Sequence, residues 1–348
     1  MDGITQALLG ATVGKACCGH KLGHKRAVWW GAVGGIIPDF DILARVGGEW
    51  ASMVHHRGVT HSLWFGPLVG SALGYAVWRR YRAKEDPGGQ PGLLRWWVLL
   101  FVLAIFTHPL LDLFTTYGTQ LLAPFSRQRY AINGVGIVDL FYTVPLIIAL
   151  RVGRGDADMR RGRRAATIAL AATTAYLFVG VWLNHRAEGL AARDLARRGV
   201  KVTKVDAYPT LLQLFLRRVV ARDDKGALRV GYLSTLAPQP PRWRRFEPPK
   251  DALVERLRAA PRGKLLYWFA MGQVAPHLVR DSKGNVVVEL DDVRYGLPGT
   301  APWRGFWGVR ARFNKDGSMG EVVRFRRGFS GAGKAFVDLF RGALGARL

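Results

Sequence analysis

The chain has 348 residues, with 51 Lys plus Arg against 25 Asp plus Glu for a formal net charge of +26. Its 49% hydrophobic content, with 12 Trp, allows a large core or several membrane spans, and the basic excess raises nucleic acid or an anionic surface as a partner. The two cysteines are adjacent, Cys17 and Cys18, which excludes a disulfide scaffold and a cysteine-based zinc site.

The opening stretch, MDGITQALLGATVGKACCGHKLGHKR, has an acidic residue where a signal peptide carries basic ones, and its apolar run is short and glycine-rich. No cleavable signal peptide is expected from it. Apolar runs follow at about 27–38, 62–78, 93–111, 137–150 and 165–184. The last is long enough to span a bilayer alone; the short first and fourth need tilt or buried ends. Residues 4–185 therefore predict a compact helical membrane domain of about six segments, against the alternative of a soluble buried bundle. Basic residues cluster between the runs: Lys15, Lys21, Lys25 and Arg26; Arg79, Arg80, Arg82, Lys84 and Arg95; and Arg151, Arg154, Arg160, Arg161, Arg163 and Arg164. The positive-inside rule puts these loops in the cytoplasm. The alternate ends then face outward, namely IPDFD, HHRGVTH, the stretch from THPLLD to PFSRQRY, and His185.

From Leu190 onward 31 Lys plus Arg stand against 14 Asp plus Glu, and no further membrane-length apolar run occurs. TLLQLFLRRVVAR reads as an amphipathic helix or strand, ALRVGYLST and NVVVELDDVRYG as strands, and WGVRARFNKDGSMGEVVRFRRG as a hairpin turning at Asn314–Gly317. The fold class expected is mainly α, a multi-helix membrane-embedded bundle over 1–188, followed by a smaller, mostly β, α+β extramembrane domain over 189–348 on the outer face. Its basic surface is either simply solvated or docks on anionic lipid headgroups or acidic polymers. No zinc-finger, RNP-like or P-loop signature supports nucleic-acid binding.

The outward-facing ends carry the chemistry. HRGVTH places His56 and His61 five apart, with Thr60 as a candidate N-cap for the next helix. HPLLD places His108 and Asp112 at i and i+4 on one helix face, and PDFD directs Asp39 and Asp41 toward one pocket after a proline. Imidazole and carboxylate together are divalent-metal ligands, zinc above all, and ionisable groups persist at bilayer depth where they are paired or functional. Arg57 is a candidate catalytic clamp for an anionic group. A serine-hydrolase reading on Ser62 fails, because His61 is its sequence neighbour and no nucleophile elbow surrounds it.

MDGITQALLGA, GGIIPDFD, HHRGVTHSL, THPLLDLFTTYGTQLLAPFSRQRYAI and IVDLFYTVP together resemble the successive motifs of the YdjM-like family, bacterial inner-membrane proteins regarded as metal-dependent hydrolases and distantly similar to the zinc-dependent phospholipase C and P1 nuclease group. The resemblance covers about residues 1–185. It implies that Asp39, Asp41, His56, His61, His108 and Asp112 bind metal, with Asp139 as a further ligand, in a multi-pass inner-membrane protein. The reaction it implies is hydrolysis, by metal-activated water, of a phosphoester or ester in a membrane lipid or lipid-linked substrate. Where the family carries His after Thr in its first motif, this chain has Gln6, a poor zinc ligand. A non-catalytic membrane module with a structural metal or a polar network is the alternative.

Overall fold

The computed structural model describes residues 1–85, 91–153, 158–280, 285–301, 303–328 and 332–348; Arg154 lies outside them. The first part of the chain is helical: α1 (Gly3–Val13), a π-helical turn (Gly14–Cys18), α2 (Gly19–Leu22), α3 (His24–Ile36), a 3-10 stretch (Ile37–Gly47), α4 (Glu49–His55), a 3-10 turn (Val59–His61), α5 (Phe65–Glu85), α6 (Leu94–Leu113), α7 (Leu140–Arg151) and α8 (Met159–Arg197). Two of these, α6 and α8, are long and apolar enough to cross a membrane. At about 1.5 Å per residue, the 12-residue α7 and 13-residue α3 reach only about 18–20 Å, short of a hydrocarbon core about 30 Å thick. Among the described residues the expected six segments thus become two candidates, α6 and α8, beside shorter helices and the 21-residue α5, which is long but not apolar enough.

The helices pack through glycine. A Cβ on Gly10 would lie 2.2 Å from the Gly31 carbonyl oxygen, and one on Gly35 would lie 2.4 Å from that of Gln6, so α1 and α3 approach as only glycine permits. On α5, Gly66, Gly70 and Gly74 recur every four residues and meet Phe106, Val102 and Val98 of α6. Such small-residue rows let two helix backbones approach closely. Trp97, Leu100, Phe101 and Ile105 of α6 form the core with Cys18, Leu22 and Ala27. The C-terminal end of α6 is thereby held against α1, α3 and the 3-10 stretch that follows α3.

The chain divides into two compact units, Met1–Val179 and Gly180–Leu348. The break between these units falls inside α8, which continues unbroken through Gly189, and its last turns carry the second unit. There Ala187 and Ala191 pack on Ala207, Val219 and Leu233, and buried Arg217 donates to the Gly180 carbonyl at 2.8 Å.

The second unit holds two four-stranded antiparallel sheets. One is β1 (Val202–Pro209), β2 (Leu216–Asp223), β3 (Leu228–Ser234) and β4 (Arg244–Phe246); the other is β5 (Val274–Arg280), β6 (Val286–Asp292), β7 (Trp307–Phe313) and β8 (Val323–Arg326), both in sequential order. Helices α9 (Ala252–Ala259) and α10 (Pro261–Phe269) link them, and α11 (Ala332–Ala343) follows. The ambiguous TLLQLFLRRVVAR is strand β2. The expected hairpin is β7–β8, turning where the Gly317 amide donates to the Asn314 carbonyl at 2.9 Å.

Candidate metal centre

Two buried imidazoles face each other. His61 Nε2 stands 3.1 Å from His108 Nε2, and the two rings are 0% and 1% exposed. Each ring's other nitrogen is committed. His108 Nδ1 lies 2.6 Å from the Gly35 carbonyl oxygen, which can only accept, so Nδ1 carries the proton. His61 Nδ1 lies 3.2 Å from Asp41 Oδ2 and 3.0 Å from the Thr60 hydroxyl. Such outer partners fix the tautomer that turns an Nε2 lone pair toward a metal. At this distance a proton on His61 Nε2, or a metal cation in its place, bridges the two rings.

Carboxylates complete the ring. Asp39 Oδ1 is 3.7 Å from His61 Nε2 and 3.5 Å from His108 Nε2; Asp112 Oδ2 is 3.3 Å and 3.6 Å from the same atoms. Donors about 2.0–2.2 Å from one tetrahedral zinc stand about 3.3–3.6 Å apart. Asp112 Oδ2 and Gln6 Oε1 are also buried without a well-directed hydrogen bond. The spacing of these donors, the Nε2 lone pair that His108 turns inward and the unpartnered Gln6 Oε1 therefore fit a divalent ion. Burial alone would lower the His61 pKa, but Asp112, Asp39 and Asp41 outweigh it and push it up to about 10. Asp41 is held well below the usual carboxylate range, its burial outweighed by His56 and His61.

A second group shares Asp39. Asp39, Asp41 and His56 offer donor atoms within 4.8 Å of one another, as do Asp39, His61 and His108. His56 Nδ1 lies 2.8 Å from Asp41 Oδ1, and Asp41 Oδ2 accepts from the Arg57 amide at 2.8 Å and the Thr60 hydroxyl at 3.1 Å. Thr60 is thus a ligand brace and not the expected N-cap.

A family model described as YdjM inner membrane protein matches residues 1–187, the part of the chain that contains every one of these residues. The chain belongs to that family. The YdjM-family chain is also 28% identical over 115 residues to the uncharacterised protein YfhP of Bacillus subtilis (strain 168). That match covers 33% of this chain and 33% of YfhP, so the chain spans about a third of that relative's length. No solved structure matches.

Six of the expected ligands of this YdjM-family chain, Asp39, Asp41, His56, His61, His108 and Asp112, stand together; Asp139 does not join them. It caps α7, accepting from the Phe141 and Tyr142 amides at 3.0 and 3.2 Å, and the Tyr176 hydroxyl lies 2.9 and 3.0 Å from its two oxygens. An Asp immediately before an apolar helix is an N-cap signal, and here the cap is its role. Arg57 enters the centre from beneath. Only 2% exposed, it stands with Nε 2.9 Å from Asp112 Oδ2, donates to the Thr115 hydroxyl at 2.7 Å, and lies over the Tyr117 ring. Its backbone sits at φ 59, a left-handed conformation uncommon for a non-glycine residue, which lets its amide reach Asp41 while its guanidinium reaches Asp112. Gln6 approaches the centre, its amide nitrogen 3.2 Å from the His108 carbonyl oxygen and 3.1 Å from Asp112 Oδ1.

Sequence reasoning missed the Met1 amino group, which contacts Asp112 Oδ1, and the Gly35 carbonyl; neither has a side-chain signature. It also missed a cluster in the second unit, His277, Glu289 and Asp291. The register pairing of His277 with Glu289 across β5 and β6 is its only signal. There Arg327 lies 2.6 Å from Glu289 and 3.2 Å from Asp291, so the cluster is a buried ion network already supplied with a cation.

Proposed function

We propose that the N-terminal unit is a metal-dependent hydrolase of the bacterial inner membrane, using zinc to cleave a phosphoester or ester of a lipid or lipid-linked substrate, with its centre and the second unit on the outer face. The observation that carries the reading is the pair of ring nitrogens, His61 Nε2 and His108 Nε2, facing each other at 3.1 Å among the carboxylates of Asp39 and Asp112. A divalent ion there supplies Lewis acidity and a water of lowered pKa. Asp41 and the Gly35 carbonyl orient the two imidazoles, and Arg57 pins Asp112. Asp39, with 24% of its side chain exposed, is the donor through which substrate reaches the centre. In this arrangement Arg57 positions a ligand, and clamping a substrate anion requires its guanidinium to leave Asp112.

One observation favours the second reading, a structural metal. If Asp112 joins Asp39, His61 and His108, four protein donors close a tetrahedral site, whereas a catalytic zinc keeps one position open. Held back by Arg57, Asp112 leaves three donors and the open position. The deciding experiment is hydrolysis of short-chain phosphatidylcholine and of bis(p-nitrophenyl) phosphate by the detergent-purified chain. The hydrolase reading expects zinc-dependent turnover, abolished by chelator and by Asp39→Asn. Bound metal with no turnover of any phosphoester or ester would leave the structural reading standing.

A further inference from the structure

Helix α11 leaves an apolar stripe uncovered. Leu339 and Ala343 pack down on Leu216 and Leu297, while Phe336, Val337, Phe340 and Leu344 face outward, Val337 and Leu344 at 54% and 78% exposure. At about 100° per residue these four occupy one continuous side, bounded by the buried line on one flank and by Lys334 and Arg341 on the other. Leu236, also exposed, extends the patch, since the neighbouring Ser234 hydroxyl donates to the Ala343 carbonyl at 2.6 Å. Four large apolar side chains uncovered on α11 and on the residue that follows it mark an interaction site and not ordinary scatter.

The course of the chain points to a membrane surface as what covers them. The second unit starts inside the apolar run of α8, at Gly180, whose carbonyl is held by buried Arg217. Two residues on, Trp182 is 59% exposed, and the Arg186 guanidinium lies 5.6 Å from its ring, an aromatic–cation pair of the kind found at headgroup level. No spacer therefore separates this unit from the bilayer that its first helix leaves. The surface it brings there is basic, with 31 Lys plus Arg against 14 Asp plus Glu from Leu190 onward.

We propose that α11 is an interfacial helix lying on an anionic phospholipid surface, with Phe336, Val337, Phe340 and Leu344 in the acyl boundary and Lys334, Arg341 and Arg347 on headgroup phosphates. This pattern, an apolar face edged with basic residues, binds the membrane plane by buried area plus attraction to anionic lipid. The proposal stands apart from the hydrolase reading, since it uses none of the metal-centre residues.

The test uses the full chain with Cys17→Ser and Cys18→Ala, carrying Val337→Cys labelled with a nitrobenzoxadiazole probe, in nanodiscs of phosphatidylcholine with or without phosphatidylglycerol. Leu344→Cys serves as a second labelling site, and Lys315→Cys, on the β7–β8 turn, as the exposed control. In anionic discs, doxyl-labelled lipid should remove most of the emission at positions 337 and 344 and little at 315. The quenching should fall several-fold in the K334E/R341E variant. Emission typical of water and unquenched in both lipids would overturn the proposal. So would a blue-shifted probe that lipid does not quench, which would assign the stripe to a second copy of the chain or to another protein surface.

Discussion

His61 shows how much of the centre is decided one residue at a time. Its ring is oriented because Nδ1 faces the Asp41 carboxylate and the Thr60 hydroxyl, which leaves Nε2 toward His108. Asp41→Asn keeps the shape but weakens that hold, and its metal affinity should fall about 10–100-fold with the fold intact, measured by competition with a chromophoric chelator. Protons compete for the same lone pair. With no metal bound, His61 is raised to about 10, so it stays protonated at neutral pH and gives up that proton when an ion binds. The apparent affinity should therefore rise about tenfold per pH unit between roughly pH 7 and 9. The same sign applies to folding. In the metal-free chain, the His61 contribution is fully present below the ordinary histidine pKa and is lost as pH rises toward about 10. A flat affinity over that range would mean that the proton is not displaced.

At the scale of elements, the ligands are brought together by close helix crossings. Gly35 lets α3 press on the Gln6 carbonyl while its own carbonyl orients His108. Gly35→Ala places a methyl group against backbone that cannot turn aside, a cost of about 1–3 kcal/mol. Melting in detergent should drop for this variant and stay unchanged for Gly92→Ala, where nothing lies within 4 Å. The motifs were legible for a related reason. His108 and Asp112 share a helix face by spacing, and Asp39 and Asp41 follow a proline that ends α3, so local geometry foretold their direction. Asp139 misled because the same residue type is both a ligand and an N-cap, and only the position of Tyr176, distant in sequence, decides between them. Thr60 misled in the opposite sense, a cap by pattern that instead braces Asp41. Arg57 was legible as a site residue but not as a partner of Asp112, since its left-handed backbone and its reach to Asp112 depend on where α6 lies.

For the whole molecule, composition separated a helical, family-matched first unit from a basic β-rich second one, and α8 runs from the first into the second. The alternation of basic loops with His- and Asp-rich ends predicts sidedness. In a cysteine-free background, Arg82→Cys and Arg161→Cys should resist a membrane-impermeant maleimide in intact cells, and Lys315→Cys should react. Labelling at position 82 but not 315 would invert the assignment. The proposed hydrolase activity requires an ion held between His61 and His108. The most direct test is metal analysis of the detergent-purified chain by inductively coupled plasma mass spectrometry, beside His61→Ala and His108→Ala of matched helicity. The account predicts at least one equivalent of a divalent transition metal, zinc above others, in the parent chain and its loss from both variants. Equal metal content in all three, or none in a parent chain dialysed against zinc, would contradict it.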